Sequence, residues 1–229
     1  MDARQAILTA ATRLFAERGF DGTSVQEIAE AVGIRKPSLL YHFPSKDALR
    51  RAVLGELLER WHGVLPRLLM QTAGGEPRFG DVLEELVRFF TEDPDRARLL
   101  VREILDRPDD MRRRLDEHVR PWVGVVGDYI RRAQARGEAH ASVDPEAYVL
   151  QVINLVVSGV ATSASLGSAL LGDDAPGRRS GERHVRELVR IARASLLRGP
   201  EDREAQRPRR DRPSGATPRR ARLAERGEH

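Results

Sequence analysis

The chain of 229 residues contains no cysteine. That excludes disulfide frameworks, thiol nucleophiles and cysteine-ligated zinc, and it fits a reducing compartment such as the cytoplasm. Aromatic residues are scarce, at 5%. Lysine occurs only at positions 36 and 46, although Lys and Arg together number 39. Arginine therefore supplies nearly all the positive charge and holds its proton to very high pH, so the sequence pI is about 10.0 while the formal net charge is only +4. So modest an excess does not by itself announce nucleic acid. The most apolar run, Tyr148 to Ala161, is interrupted by Gln151, Asn154 and Ser158. Neither a membrane span nor a signal peptide is expected. A phosphate-cradling glycine loop, a nucleophile elbow and paired metal-ligand histidines are also missing, and the histidines are scattered. No catalytic residue, metal or cofactor is expected, and the chain does not read as an enzyme.

What is there starts with the stretch TSVQEIAEAVGIRKPSLLYHFPSK, residues 23–46. Thr23, with Gln26 three residues on, reads as a helix start in which one side chain caps the helix and the other reaches back. Val25, Ile28, Ala29 and Val32 share a face at helical spacing. Gly33 reads as the stop, because glycine takes the left-handed conformation that turns the chain, and Ile34 stands where it can plug the corner. A second short helix begins near Lys36, where Pro37 is tolerated in the first turn. Leu39 and Phe43 are its core contacts, which leaves Lys36, Ser38, Tyr41 and His42 facing outward. Pro44 ends it, and Ser45 with Asp47 starts the next helix. The outward face carries a cation, hydroxyls and rings, which suits a phosphate-lined groove.

The remaining sequence predicts an all-α chain with no run of alternating strands. A fourth helix runs from Lys46 towards Met70 with Leu49, Val53, Leu57, Trp61 and Leu65 along one face, and Pro66 bends or divides it. Further helices are expected over Phe79–Thr91, Pro94–Asp106 and about Met111–Arg136, the last kinked or split at Pro121, and Gly137 closes the series. Asp144, Pro145 and Glu146 give a strong start to a long apolar helix reaching Leu171. Its small residues, among them Gly159, Ala161, Ser163, Ala164 and Gly167, suit close approach by another helix. A last helix over Glu182–Arg198 carries Val185, Leu188, Val189, Ala192 and Leu196 as its apolar stripe. Residues 199–229, rich in Arg, Pro, Gly and acids, are expected to be a disordered basic tail.

On the segments ILTAATRLFAERGFDGTSV and AEAVGIRKPSLLYHFPSKDAL, roughly the first fifty residues, the chain resembles the TetR family of bacterial transcriptional regulators. The resemblance implies a three-helix DNA-binding domain with a helix-turn-helix over residues 1–46. It also implies a larger helical effector-binding and dimerisation domain over residues 47–198. The implied function is a sequence-specific homodimeric repressor that a small molecule releases from its operator. Carried over residue by residue, Thr23, Ser24 and Lys46 resemble phosphate contacts, and Lys36, Pro37, Ser38, Tyr41 and His42 groove contacts. The sequence departs at Arg35, where a small capping residue is common and an arginine can add a phosphate contact, and at Leu40, where a tyrosine commonly touches the backbone. By the same resemblance, helices over about residues 146–171 and 182–198 pair across a two-fold axis.

An effector pocket would form among the fourth to eighth helices, with Trp61, Leu65, Phe89, Phe90, Leu100, Ile104, Trp122, Tyr129 and Asn154 as candidate lining. The same residues at helical spacing also read as ordinary core. Asn154, if buried, needs a partner: a ligand, a water or the facing subunit. The alternative to a ligand-released repressor is a dimeric DNA-binding architectural or assembly protein without an effector.

Overall fold

A computed structural model describes the backbone of residues 2–71, 79–171 and 178–197, and the side chains of residues 2–60, 80–166, 169–170 and 182–197. In chain order the helices are α1 (Ala3–Arg18), α2 (Val25–Val32), α3 (Lys36–His42), α4 (Lys46–Gln71), α5 (Phe79–Thr91) and α6 (Pro94–Asp106). There follow α7 (Pro108–His118), α8 (Arg120–Ala135), α9 (Pro145–Thr162), a π-helical turn (Ser163–Gly167), α10 (Ser168–Leu171) and α11 (Arg178–Leu196). Among the described residues there is no strand, only an isolated bridge between Ala139 and Leu197. The expected tail, residues 199–229, lies outside the described residues.

Local chemistry sets the boundaries. Asp93 accepts from the Asp95 N–H at 3.2 Å and Pro94 occupies the first turn of α6. The stretch expected from Met111 to Arg136 is two helices that meet at Val119, with Pro121 in the first turn of α8, where its missing N–H costs nothing. Gly137, at φ 74°, closes α8. In α4 the helix is not divided at Pro66; a proline removes one intrahelical donor, and the turns on either side carry the helix. Asp144 caps α9 by accepting from the Ala147 N–H at 2.8 Å. That helix does not run unbroken to Leu171 as expected. The Thr162 and Ser163 hydroxyls donate to the carbonyls of Ser158 and Val160, at 2.8 and 2.9 Å, and such back-bonding competes with the helical ladder where it gives way to the π-turn.

The body is organised around α9. Its buried residues Val149, Val152, Val156, Val157 and Val160 meet α5, α6, α8 and α11. Composition and length alone would let the helical stretch Pro145–Leu166 cross a membrane, with 28% of its apolar window buried; here it is the helix on which four others pack. Small residues permit one close approach. A β-carbon on Gly159 would stand 2.9 Å from Leu188 Cδ1 and 3.0 Å from His184 Nε2, both on α11. Leu188, Ala192 and Leu196 of the α11 apolar stripe are likewise buried within the chain, so the outward face of α11 is largely charged, with Arg183, Arg186, Glu187 and Arg190 exposed.

Helix α6 joins the two ends of the molecule by packing on both α1 and α9. Arg102 fastens it to α1, donating to the carbonyls of Ala16 at 2.8 Å and Glu17 at 3.1 Å. Beside it lies a buried ionic cluster. Arg50 of α4, its side chain 7% exposed, donates through Nε to both carboxylate oxygens of Glu103 at 2.8 and 3.0 Å, and Glu103 is 4% exposed. A second guanidinium nitrogen also reaches Glu103 and meets Asp110 of α7 at 3.0 Å. Burial pushes the Asp110 carboxyl up, but the guanidinium groups of Arg114 and Arg50 outweigh it and hold it below the ordinary aspartate value.

Removing one partner of this cluster strands a buried charge. Glu103→Ala is expected to cost about 3–5 kcal/mol in urea unfolding, far more than substitution of an exposed pair such as Arg190–Glu187. Because the folded pKa of Asp110 is depressed, its contribution is present above the ordinary aspartate range and is lost as the pH falls below about 4. Wild type should therefore lose stability more steeply than Asp110→Asn on acidification below that point, measured by urea midpoints from pH 6 to pH 3.

Candidate DNA-binding face and ligand cavity

The reading head is assembled by α1 to α3 and the start of α4. Ser24, not Thr23, caps α2: the Glu27 N–H donates to Ser24 Oγ at 3.1 Å, and the Ser24 N–H donates to Glu27 Oε2 at 2.7 Å. This reciprocal box, with Arg18 at 2.7 Å, holds the Glu27 carboxyl below its usual value, the Ser24 N–H being the largest cause. Thr23 is 1% exposed, and its hydroxyl donates inward to the carbonyls of Gly19 at 2.8 Å and Leu14 at 3.2 Å. Its side chain is thus committed to tying α1 to the turn, which corrects the expectation of a cap and a phosphate contact there; Ser24 stays exposed.

Gly33 closes α2 in the left-handed region, φ 76° and ψ 27°, and the Ile34 N–H returns to the Ala29 carbonyl at 3.0 Å. Ile34 tucks against the core, as its position in the turn suggested. Helix α3 then presents two sides. Leu39 and Phe43 are 0% and 4% exposed and anchor it. Lys36, Pro37, Ser38, Tyr41 and His42 all lie exposed, and Tyr41 is 86% exposed, an aromatic ring held in water on a rigid helix. The Tyr41 and His42 rings meet edge to face at 5.6 Å between centroids. Arg35 stands at the N-cap without a capping hydrogen bond, so its guanidinium is exposed and the cap is weak. Leu40 is half-buried, which turns that position towards packing. Lys46 places its ammonium 4.3 Å from the centre of the Phe20 ring, a ring that Arg107 approaches at 4.5 Å.

One cation beside α3 went unnamed in the sequence. The Arg4 guanidinium lies 5.4 Å from the Phe43 ring centre, which brings a cation from α1 to the C-terminal end of α3. Only the position of an arginine just after the Asp2 cap of α1 could have signalled it.

A separate apolar cavity of about 40 Å³ lies in the body. Val82, Leu83 and Leu86 of α5 form one wall, and Trp122, Val123 and Val126 of α8, with Val119 before it, form the other. Val149, Val152 and Ile153 of α9 make the floor. Of the candidate lining residues whose side chains are described, only Trp122 is there. Phe89 and Phe90 are buried in the core with their rings edge to face at 5.0 Å, Leu100 is buried too, Ile104 is 38% exposed, and Tyr129 packs on the core. Asn154 is exposed on the outer face of α9 and is not among the residues that line this cavity. The side chains of Trp61 and Leu65 lie outside the described residues. Among those described, no group of three or more acidic, histidine or cysteine side chains is placed to hold a metal.

Comparison with known proteins agrees at both ends of the chain. Residues 7–53 match the family described as bacterial regulatory proteins, tetR family, and residues 100–180 match the tetracyclin repressor-like C-terminal domain, together more than half the chain. The chain belongs to the TetR family. HTH-type transcriptional regulator RutR of Escherichia coli K12 is 50% identical over 58 residues, 25% of this chain and 27% of RutR, so the match spans only about a quarter of that relative. HTH-type transcriptional repressor ComR of the same organism is 26% identical over 172 residues, 73% of this chain and 81% of ComR. Among solved structures, AibR in complex with isovaleryl coenzyme A and operator DNA shares the fold with a TM-score of 0.61 and 22% identity, covering 83% of this chain and 97% of AibR.

In this TetR-family head the box at Ser24 fixes where α2 begins and hence where α3 sits. Ser24→Ala is expected to cost about 0.5–2 kcal/mol in chemical unfolding, whereas Thr23→Ser, which keeps the hydroxyl, should cost much less than Thr23→Val, which leaves two carbonyls without their donor.

Proposed function

We propose that this chain is a homodimeric, sequence-specific DNA-binding repressor released from its operator by a small molecule. The observation that carries the reading is α3: two buried anchors hold a short helix whose other side offers Lys36, Pro37, Ser38, Tyr41 and His42 to a groove. Ser24 and Arg35 would add phosphate contacts, as would Lys46 and, newly, Arg4. Membership of the family, and relatives whose names carry repressor and regulator, support the direction of control. The AibR complex with both isovaleryl coenzyme A and operator DNA supports an effector over the architectural alternative.

The dimer would form through the helices over about residues 146–171 and 182–198: on α9, Leu150, Asn154, Leu155 and Ser158 are exposed along one stripe, extended by Leu166 and Leu170, and on α11 Ile191 is exposed. Two recognition helices set on neighbouring turns of the duplex would then read a palindrome with half-sites about 34 Å apart. The effector would occupy the cavity between α5 and α8 and favour a spacing that no longer fits both half-sites. The chain would act in the cytoplasm.

Selection of bound sequences from random DNA is expected to return a palindrome; bound DNA without sequence preference would overturn the assignment. On the selected site, Tyr41→Ala should cost about 1–3 kcal/mol of binding, while Lys36→Ala and Arg4→Ala should each lower the salt slope by about one, with helicity unchanged. Leu150→Asp, a charge placed on the outer face of α9, should shift the protein towards monomer in sedimentation equilibrium and weaken operator binding with it.

A further inference from the structure

The cavity between α5 and α8 has walls of one chemistry. Among the described residues ten side chains line it, all valine, leucine, isoleucine or tryptophan, with no acid, base, amide or hydroxyl among them. Its floor and inner wall are buried, with Leu83 at 1% and Val152 at 7% exposure, but Trp122, Val123, Val126 and Ile153 remain half-buried, so apolar surface there stays wet. At about 40 Å³ it is only a few times the roughly 10–15 Å³ a single water needs. Helices α5 and α8 both pack on α9, yet they are not among the helix pairs that pack extensively on each other. A molecule that parts them therefore breaks no tight seam.

Resting on the effector reading above, the geometry points to an uncharged hydrocarbon moiety as the ligand of this cleft, a chain or ring that enters between α5 and α8 with any charged group left outside. An ionised carboxylate or ammonium inside would lose its water and find no charged partner among these ten side chains. Each methylene that enters leaves water for a wall of methyl groups, a gain that corresponds to about fourfold in affinity per buried methylene. The same chemistry could arrive as a free neutral molecule or as the tail of an amphiphile, and head-group charge separates these sources.

Calorimetric titration of the full chain with straight-chain alcohols from butanol to decanol tests this. Affinity should rise about fourfold per methylene until the cleft is full. Octanoate and octylammonium are the second arm: binding equal to octanol identifies an amphiphile with its head outside, and binding at least tenfold weaker identifies a neutral free ligand. Val126→Phe, which fills the cleft, should abolish octanol binding, and the isosteric Val126→Thr should weaken it while leaving the fold intact. No binding of alcohols, affinity independent of chain length, or octanol binding unaffected by both variants would overturn the proposal. A gel shift with the selected operator keeps the two readings apart. Alcohol binding without DNA release defeats the effector reading alone, and DNA release by a short charged molecule without alcohol binding defeats this one alone.

Discussion

One guanidinium ties the helix that leaves the reading head to two helices of the body. Arg50 sits on α4, within the residues 7–53 that match the family's N-terminal model, and its side chain is closed off from water between Glu103 of α6 and Asp110 of α7. Taking these ions out of water is costly, and an apolar trio of the same volume could hold the helices as firmly. What the ionic cluster adds is direction. A guanidinium fork accepts carboxylates only in its own plane and at defined separations, whereas packed leucines tolerate sliding. The three helices are thereby held in one relative setting, and Asp110 also engages Arg113 and Arg114 at 3.2 Å, which extends the cluster along α7.

That setting lies between the two sites. The cleft is walled by α5 and α8; α5 packs directly on α4, and α8 packs on α7, which in turn meets α4. On the proposed reading, a ligand that parts α5 from α8 therefore acts on α4 from two sides, against the restraint of Arg50. For release to follow, the ligand must bind the parted state more tightly than the closed one, and a hundredfold preference corresponds to about 2.7 kcal/mol. A much stronger cluster would leave the head insensitive to ligand, and a much weaker one would leave α3 poorly placed without it.

The parts of this arrangement legible in the sequence are those written in neighbouring residues. Gly33, Pro37, Pro94, Asp144 and Pro145 each act within their own turn, and the end of α2 and the starts of α3, α6 and α9 follow from them. The N-cap of α2 shows how narrow such a reading is. Thr23 with Gln26 and Ser24 with Glu27 are both capping patterns in adjacent registers, and the carboxylate, a stronger acceptor than an amide for the cap N–H, accompanies the serine. Arg50 and Glu103 are 53 residues apart, and nothing near either marks the other. The cleft was hidden for a different reason. Valines at helical spacing look alike whether they meet a neighbour or a gap, so the described aromatic candidates proved to be mostly core, and the gap fell where two helices do not pack extensively on each other.

Helix α9 explains why a single sequence run carries so many demands. Its inner valines form the floor of the cleft and the seat of α6, Gly159 lets α11 approach, and its outer stripe exposes Leu150 and Leu155 beside Asn154. Nearly apolar all round, it satisfies composition tests for a membrane helix, but the arrangement of its neighbours gives each side a separate use. In the proposed dimer the outer stripe would be held by the partner's α9, so the floor of the cleft could not retreat when a ligand enters. Displacement would then fall on α5 and α8, the walls that do not pack extensively on each other, and through them on α4. An α9 free on its outer side would absorb the same displacement itself, so on the proposed reading the response to ligand would depend on the dimer that fixes this helix from its other side.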